Sequence, residues 1–237
     1  MITPTNNEHT EDRRGAFLAA ILDVLFPDSC VGCGEFGSAW CLRCARQLRH
    51  LHTVHRPALD NGPPAYALGR YQGAARQAVI AYKERGRRNL ALAFAAHFAI
   101  TIPHLPRAGP APDGRWWLVP VPSRRTAARQ RGGDHVRRIA AHCATYLTAA
   151  GHPAIVANPL RLTRGAVDSV GLDAAARAAN LAGRIQLRRS GVPPPDTPVV
   201  LLDDVITTGT TVALCTTALH EANLVVQASL ALVDAGH

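Results

Sequence analysis

The chain has 237 residues, 47% of them hydrophobic and 18% charged, with a formal charge of +9 and an isoelectric point near 10.0. That balance excludes a disordered chain and leaves room for one good-sized core with an appendage. A surface this basic attracts polyanions, but a single lysine, Lys83, among 26 basic residues marks an arginine bias that weakens charge as a pointer to DNA.

Residues 1–10 are polar and expected to be loose. From Glu11 to Phe26 the pattern is helical, with Phe17, Ile21, Val24 and Leu25 on one face, and Pro27 stops it. Its apolar part, Ala16 to Phe26, carries Asp23 and falls short of the roughly 18 residues that a membrane span needs. Glu8, Glu11 and Asp12 occupy what would be the basic region of a secretory signal, and Arg13-Arg14 lacks twin-arginine spacing. The expectation is a cytoplasmic protein without membrane insertion, whose first helix docks on the rest.

Cys30, Cys33, Cys41 and Cys44 follow as two C-x2-C pairs, CVGC and CLRC. Four thiolates at these spacings can close a tetrahedron about Zn²⁺, with Gly32 and Gly34 permitting the tight turn. A pair of disulfides or a redox C-x-x-C competes with that reading. A chain read as cytoplasmic disfavours the first, and the lack of a βαβ context disfavours the second. With all four positions filled by protein, the zinc would be structural and would hold a segment that has little core of its own.

Leu51 to Pro64 carries three prolines and Asn61-Gly62 and reads as a linker, its histidines His52 and His55 solvated. The expected organisation is therefore a helix and metal module over 1–50, a linker over 51–64 and the main domain over 65–237. Within that domain, residues 74–84 are helix-like with Ala75, Val79 and Tyr82 on one side, and Asn89 to Ile100 forms a second apolar helix. A Pro/Gly-rich loop precedes the short strand Trp116 to Pro120. Gly133 to Ala149 is helical, and its repeat, like that of the last helix, makes Cys143 and Cys215 core residues. Ala154 to Ala157 reads as a strand, Leu172 to Arg184 as a helix, Thr210 to Glu221 as a helix and Leu224 to Val233 as a strand. Strands alternating with helices predict a mostly parallel sheet covered on both faces.

The most informative stretch is VVLLDDVITTGTTV, Val199 to Val212. Val199 to Leu202 suits a strand buried on both faces, so Asp203 and Asp204 fall at its carboxyl end, where open α/β sheets bind ligands. Thr207, Thr208, Gly209, Thr210 and Thr211 then open a helix. Free amides at a helix start, a glycine that allows close approach and hydroxyl donors together suit a phosphate monoester. Acids beside such a cradle must serve another part of the same ligand: ribose hydroxyls, or a divalent cation. A ribose 5-phosphate satisfies both halves. The plainer alternative is a capped turn with surface aspartates.

These residues resemble the phosphoribosyl pyrophosphate (PRPP) signature of type I phosphoribosyltransferases. Joined to the four-cysteine module, the chain resembles the ComF family of competence-associated, phosphoribosyltransferase-like proteins over nearly its whole length. Ala81-Tyr82-Lys83-Glu84-Arg85-Gly86, Val119-Pro120-Val121-Pro122, Arg131-Gly132 and Leu162-Thr163-Arg164 with Arg177 and Asn180 are similar to further family segments. Two departures stand out: Gly133-Asp134-His135 where the family often has Phe-Asn-Gln, and Asp168 near an expected glutamine.

The resemblance implies an α/β fold, a type I phosphoribosyltransferase-like parallel sheet with helices on both faces, plus the small zinc module. It implies PRPP and Mg²⁺ as ligands and displacement of pyrophosphate by a nitrogen nucleophile. Asp203 and Asp204 would hold the ribose hydroxyls and Thr207 to Thr211 the 5-phosphate. Lys83, Arg131 and Arg124 would face the pyrophosphate, and Arg161 to Gly171 would be a cover. An alternative from another class is a non-catalytic PRPP- or nucleotide-binding accessory of DNA uptake, contacting a competence helicase or single-stranded DNA, and oligomerisation is compatible with either.

Overall fold

The computed structural model describes residues 29–122, 134–163, 185–188 and 190–236. The helix read over Glu11–Phe26, the segment Leu172–Arg184, most of the expected cover, and Arg124, Arg131, Arg164, Asp168, Arg177 and Asn180 lie outside the described residues.

The main sheet has six strands in the order β1 (His52–Thr53), β2 (Ala65–Ala67), β8 (Val225–Asp234), β7 (Pro198–Ile206), β3 (Trp116–Pro120) and β4 (Ala154–Val156). All neighbours are parallel except the antiparallel edge pair β1 and β2. The central strands β7 and β8 are apolar runs because both their faces are covered. Val200 and Leu202 enter one core, Val199 and Leu201 the other.

Three helices, α2 (Gly73–Glu84), α3 (Leu90–Thr101) and α4 (His135–Ala149), cover the first face. Ala75, Val79 and Tyr82 of α2 are buried there, and Phe94 and Phe98 of α3 are wholly enclosed. Burial of side chains this large contributes about 1.5–3 kcal/mol each. Helix α5 (Thr210–His220) covers the opposite face together with a separate antiparallel pair, β5 (Leu160–Leu162) and β6 (Ile185–Leu187). Cys143 of α4 and Cys215 of α5 are fully buried core residues, as their helical repeat requires.

The cysteine segment, which includes the one-turn helix α1 (Leu42–Ala45), is seated in the same core. Cys30, Trp40, Cys44 and Leu48 pack with Ala74, Ala75 and Phe94. Just beyond α1, Gln47 Oε1 accepts from the backbone N–H of Ala75 at 2.9 Å, so this segment caps the start of α2, whose own flanking residue Gln72 provides no side-chain cap.

The stretch 51–64, expected to link two units, adds the edge strand β1 and buries Val54 and Leu59. Its His52 is not simply solvated: Nε2 lies 3.5 Å from the carboxylate of Asp234 at the end of β8. His55 is exposed, as expected.

Candidate functional site

Strand β7 is longer than its sequence pattern suggests, because hydrogen bonding to β8 continues to the pair Ile206 and Asp234. On its other side the partner β3 stops earlier, at the pair Pro120 and Leu202. Asp203 and Asp204 thus lie inside β7, in the stretch where it outlasts β3, and not beyond the strand's end. The next described helix after β3, α4, lies on one face of the sheet, and α5, which follows β7, lies on the other. This is the switch point of the sheet, where the carboxyl ends of diverging strands open a crevice.

A cavity of about 390 Å³ opens there, lined by Lys83, His135, Asp203, Asp204, Thr207 and Thr211 among others. Asp204 is 4% exposed and its side chain points to the α2/α4 face, so it is not the surface aspartate of a plain capped turn. Its Oδ1 accepts from Lys83 Nζ at 3.1 Å, and its Oδ2 accepts from His135 Nε2. Burial works against its ionised form, but the hydrogen bond from His135 and the charge of Lys83 outweigh that and hold the carboxyl down at about 2. Asp203 is less enclosed, and its Oδ1 accepts from the Asp204 N–H at 2.8 Å. Burial and the adjacent charge of Asp204 push its carboxyl up to about 8. The two acids therefore differ at neutral pH: Asp204 only accepts hydrogen bonds, whereas protonated Asp203 can also donate one.

The Thr/Gly loop follows. Gly209 has φ 79° and precedes the first residue of α5, a left-handed conformation that a residue with a Cβ rarely adopts. A Cβ there would also meet Leu59 Cγ at 2.7 Å. The hydroxyls of Thr208 and Thr210 lie 3.0 Å apart. Helix geometry leaves the first amides of α5 unpaired within the helix, with partial positive charge at that end.

Of the residues singled out from sequence, the structure brings together Lys83, Asp203, Asp204, Thr207 and Thr211 around one cavity, with Thr208, Gly209 and Thr210 on the same loop. Arg131 and Arg124 are outside the described residues. Sequence reasoning named His135 only as part of a departure from the family pattern and not as a partner of Asp204, and it did not single out Tyr71, which also lines the cavity. Asp134 caps α4 by accepting from the Arg137 N–H at 3.3 Å, and this fixes His135 as the first residue of that helix. A polar residue at that place was the available signal.

A second constellation lies about the cysteines. The Sγ atoms of Cys30, Cys33, Cys41 and Cys44 all lie within 4.8 Å of one another. Burial raises the Cys30 thiol, but hydrogen bonds from the amides of Cys41, Gly32 and Cys33 outweigh it and bring the thiol down to about 6. Burial and the neighbouring sulfurs push Cys44 up. A divalent cation among the four removes that mutual repulsion, and an all-thiolate set of this size fits Zn²⁺ in a closed, structural site.

No known family model and no curated protein matches the chain. Among solved structures it is similar to a hypoxanthine phosphoribosyltransferase of Trypanosoma cruzi, with 13% identity over 64% of this chain and 66% of that one and a TM-score of 0.34. It is also similar to one of Staphylococcus aureus, at 13% identity over 64% and 65% with a TM-score of 0.33. For the hypoxanthine-guanine enzyme of L. donovani the figures are 14%, 68%, 67% and 0.28. The chain thus spans about two thirds of each. Overlaps of this size leave the function to the geometry of the chain's own site. Among the described residues no helix is long and apolar enough to cross a membrane.

Two outcomes are expected. Cys41→Ser lowers bound zinc and the melting temperature together, the latter by at least several degrees, as plasma emission and calorimetry on one preparation will show; zinc content equal to that of wild type would contradict the four-sulfur site. Folded Asp203 retains a proton that the unfolded chain releases near its ordinary pKa of about 3.9, so it lowers stability as pH rises toward about 8. The melting temperature of Asp203→Asn relative to wild type should climb between those limits, and a pH-independent difference would contradict the raised carboxyl.

Proposed function

We propose that the crevice between β3 and β7 binds PRPP with Mg²⁺ and that the protein is a phosphoribosyltransferase-like member of the ComF family, transferring phosphoribose to a nitrogen acceptor. One observation carries this reading: a buried acid paired with Lys83 and His135 and a second acid beside it stand directly before a Thr/Gly helix start, on one cavity. Ribose hydroxyls and a terminal phosphate in one ligand use both halves.

In this reading the amides and hydroxyls of Thr207 to Thr211 hold the 5-phosphate. Asp204, with two of its carboxylate positions taken by Lys83 and His135, accepts a ribose hydroxyl on a remaining one, and Asp203 accepts from the other hydroxyl or donates to it. The bond from C1 to the diphosphate oxygen breaks as a bond from C1 to the acceptor nitrogen forms, and the nitrogen's proton leaves to solvent. Charge develops on the departing diphosphate, and Lys83 and Arg131 offset it. Mg²⁺ bound with PRPP would neutralise part of the same charge, with Asp203 and Asp204 the acids among the described lining residues of the cavity.

Titration calorimetry with PRPP and Mg²⁺ should show binding, and Asp204→Asn should weaken it by about tenfold or more while the domain stays folded. Pyrophosphate release in the presence of a panel of nitrogen bases then separates an enzyme from a binder. No heat with wild-type protein would reject the proposal.

The accessory reading is favoured by a different feature. A groove of about 1090 Å³ lies between the cysteine segment and the sheet, lined by Arg46, Arg49, Arg70, His50 and His52, and none of its described lining residues is acidic. Single-stranded DNA binding there should weaken steeply with added salt as phosphate contacts release counterions, and salt-independent affinity would reject it.

A further inference from the structure

The segment 52–59 meets the Thr/Gly loop at Arg56, which the chemistry above does not use. Every nitrogen of its guanidinium is engaged. Nε donates to the carbonyl of Thr207 at 2.8 Å, Nη1 donates to the carbonyl of His55 at 2.6 Å, and Nη2 donates to the carboxylate of Asp234. Asp234 is 2% exposed and also accepts from Arg70 Nη1 at 3.2 Å and from the Gly236 N–H at 2.9 Å. A Cβ on Gly236 would overlap the guanidinium, so the seat is shaped to the arginine. A buried carboxylate needs such partners, and a planar fork serves it and the carbonyl from separate nitrogens held in one fixed geometry, whereas an ammonium must reach both from a single nitrogen.

The carbonyl it grips belongs to the peptide between Thr207 and Thr208. A trans peptide sets its C=O and N–H on opposite sides, so an arginine that holds the Thr207 oxygen turns the Thr208 N–H away from itself. A flip of this peptide would instead present an oxygen where the loop offers donors. Leu59, three residues on, packs against Gly209 and blocks the loop from the same side.

We infer that Arg56, seated on Asp234, is a positioning residue that locks the Thr207–Thr208 peptide with its N–H facing a bound phosphate monoester. This rests on the phosphoribosyl reading of the site. If it holds, losing the arginine should impair recognition of the ligand's phosphate end and spare the end that meets Lys83.

The test compares wild type, Arg56→Lys and Arg56→Ala by calorimetry with two probes, ribose 5-phosphate and magnesium pyrophosphate, alongside thermal melts. Arg56→Lys keeps a cation beside Asp234 but cannot span to the Thr207 oxygen. It should melt within a few degrees of wild type and bind pyrophosphate equally, yet bind ribose 5-phosphate about tenfold more weakly. Wild-type affinity for ribose 5-phosphate in Arg56→Lys would overturn the inference, as would an equal loss for both probes. Should both variants fail to fold, the Thr208 amide resonance of wild type decides: saturation with ribose 5-phosphate should shift it strongly, and an unmoved Thr208 overturns the inference. Wild type that binds no ribose 5-phosphate at all rejects the phosphoribosyl reading and this inference with it, a result distinct from the others because it needs no variant.

Discussion

The carboxylate of Asp204 is the constraint on which the rest of the arrangement depends. A charge at 4% exposure left unpaired costs about 3–5 kcal/mol, so the fold must deliver partners to it. It does so from two helices on one face: Lys83 from the last turn of α2 and His135 from the first residue of α4. Those contacts tie both helices to the central strand at the point where β3 ends and the crevice begins. Lys83 is the chain's single lysine, and a compact ammonium at the end of a flexible stem suits a contact with one oxygen in a confined space better than a guanidinium fork.

Behind this pair the packing is continuous. The Tyr82 hydroxyl donates to the His135 carbonyl at 2.8 Å, and burial pushes the phenol up to about 12, which keeps it protonated as a donor. Tyr82 meets Phe94 edge-on at 5.5 Å between ring centres, and Phe94 meets Trp40 of the cysteine segment at 6.5 Å. Edge-to-face contacts of this kind favour a fixed ring orientation beyond the area they bury. The opposite side of the site is held by polar contacts, through Arg56 and Asp234. One wall of the crevice thus rests on aromatic packing and the other on a buried ion cluster.

Much of this was legible in the sequence because it is local. The apolar runs of β7 and β8, the three- and four-residue repeats of α2 and α4, and the cysteine spacing each follow from periodicity or chain reach. The acids and the Thr/Gly loop were legible because a strand, a turn and a helix start follow one another without a gap. What was not legible depends on pairing between distant segments. The end of β7 extends past Leu202 because β8 supplies hydrogen bonds there, which the apolar run alone does not show. The stretch 51–64 reads as a linker by its prolines and Asn-Gly, yet Arg56 finds its acid 178 positions away. His135 sits at a capped helix start, but its partner Asp204 is 69 positions on.

The hydrogen bond from the Ala75 N–H at the start of α2 to the Gln47 side chain has an architectural consequence. A metal knuckle is usually a cassette, exchangeable because it closes on itself. Here the same few residues finish a neighbour's first turn and lend Trp40 to a common interior, so a foreign knuckle grafted in its place would leave an open helix end and a hole beside Phe94. Whatever reshapes this corner of the molecule must inherit both contacts together, which ties the fate of the sulfur cluster to that of the helix carrying Lys83.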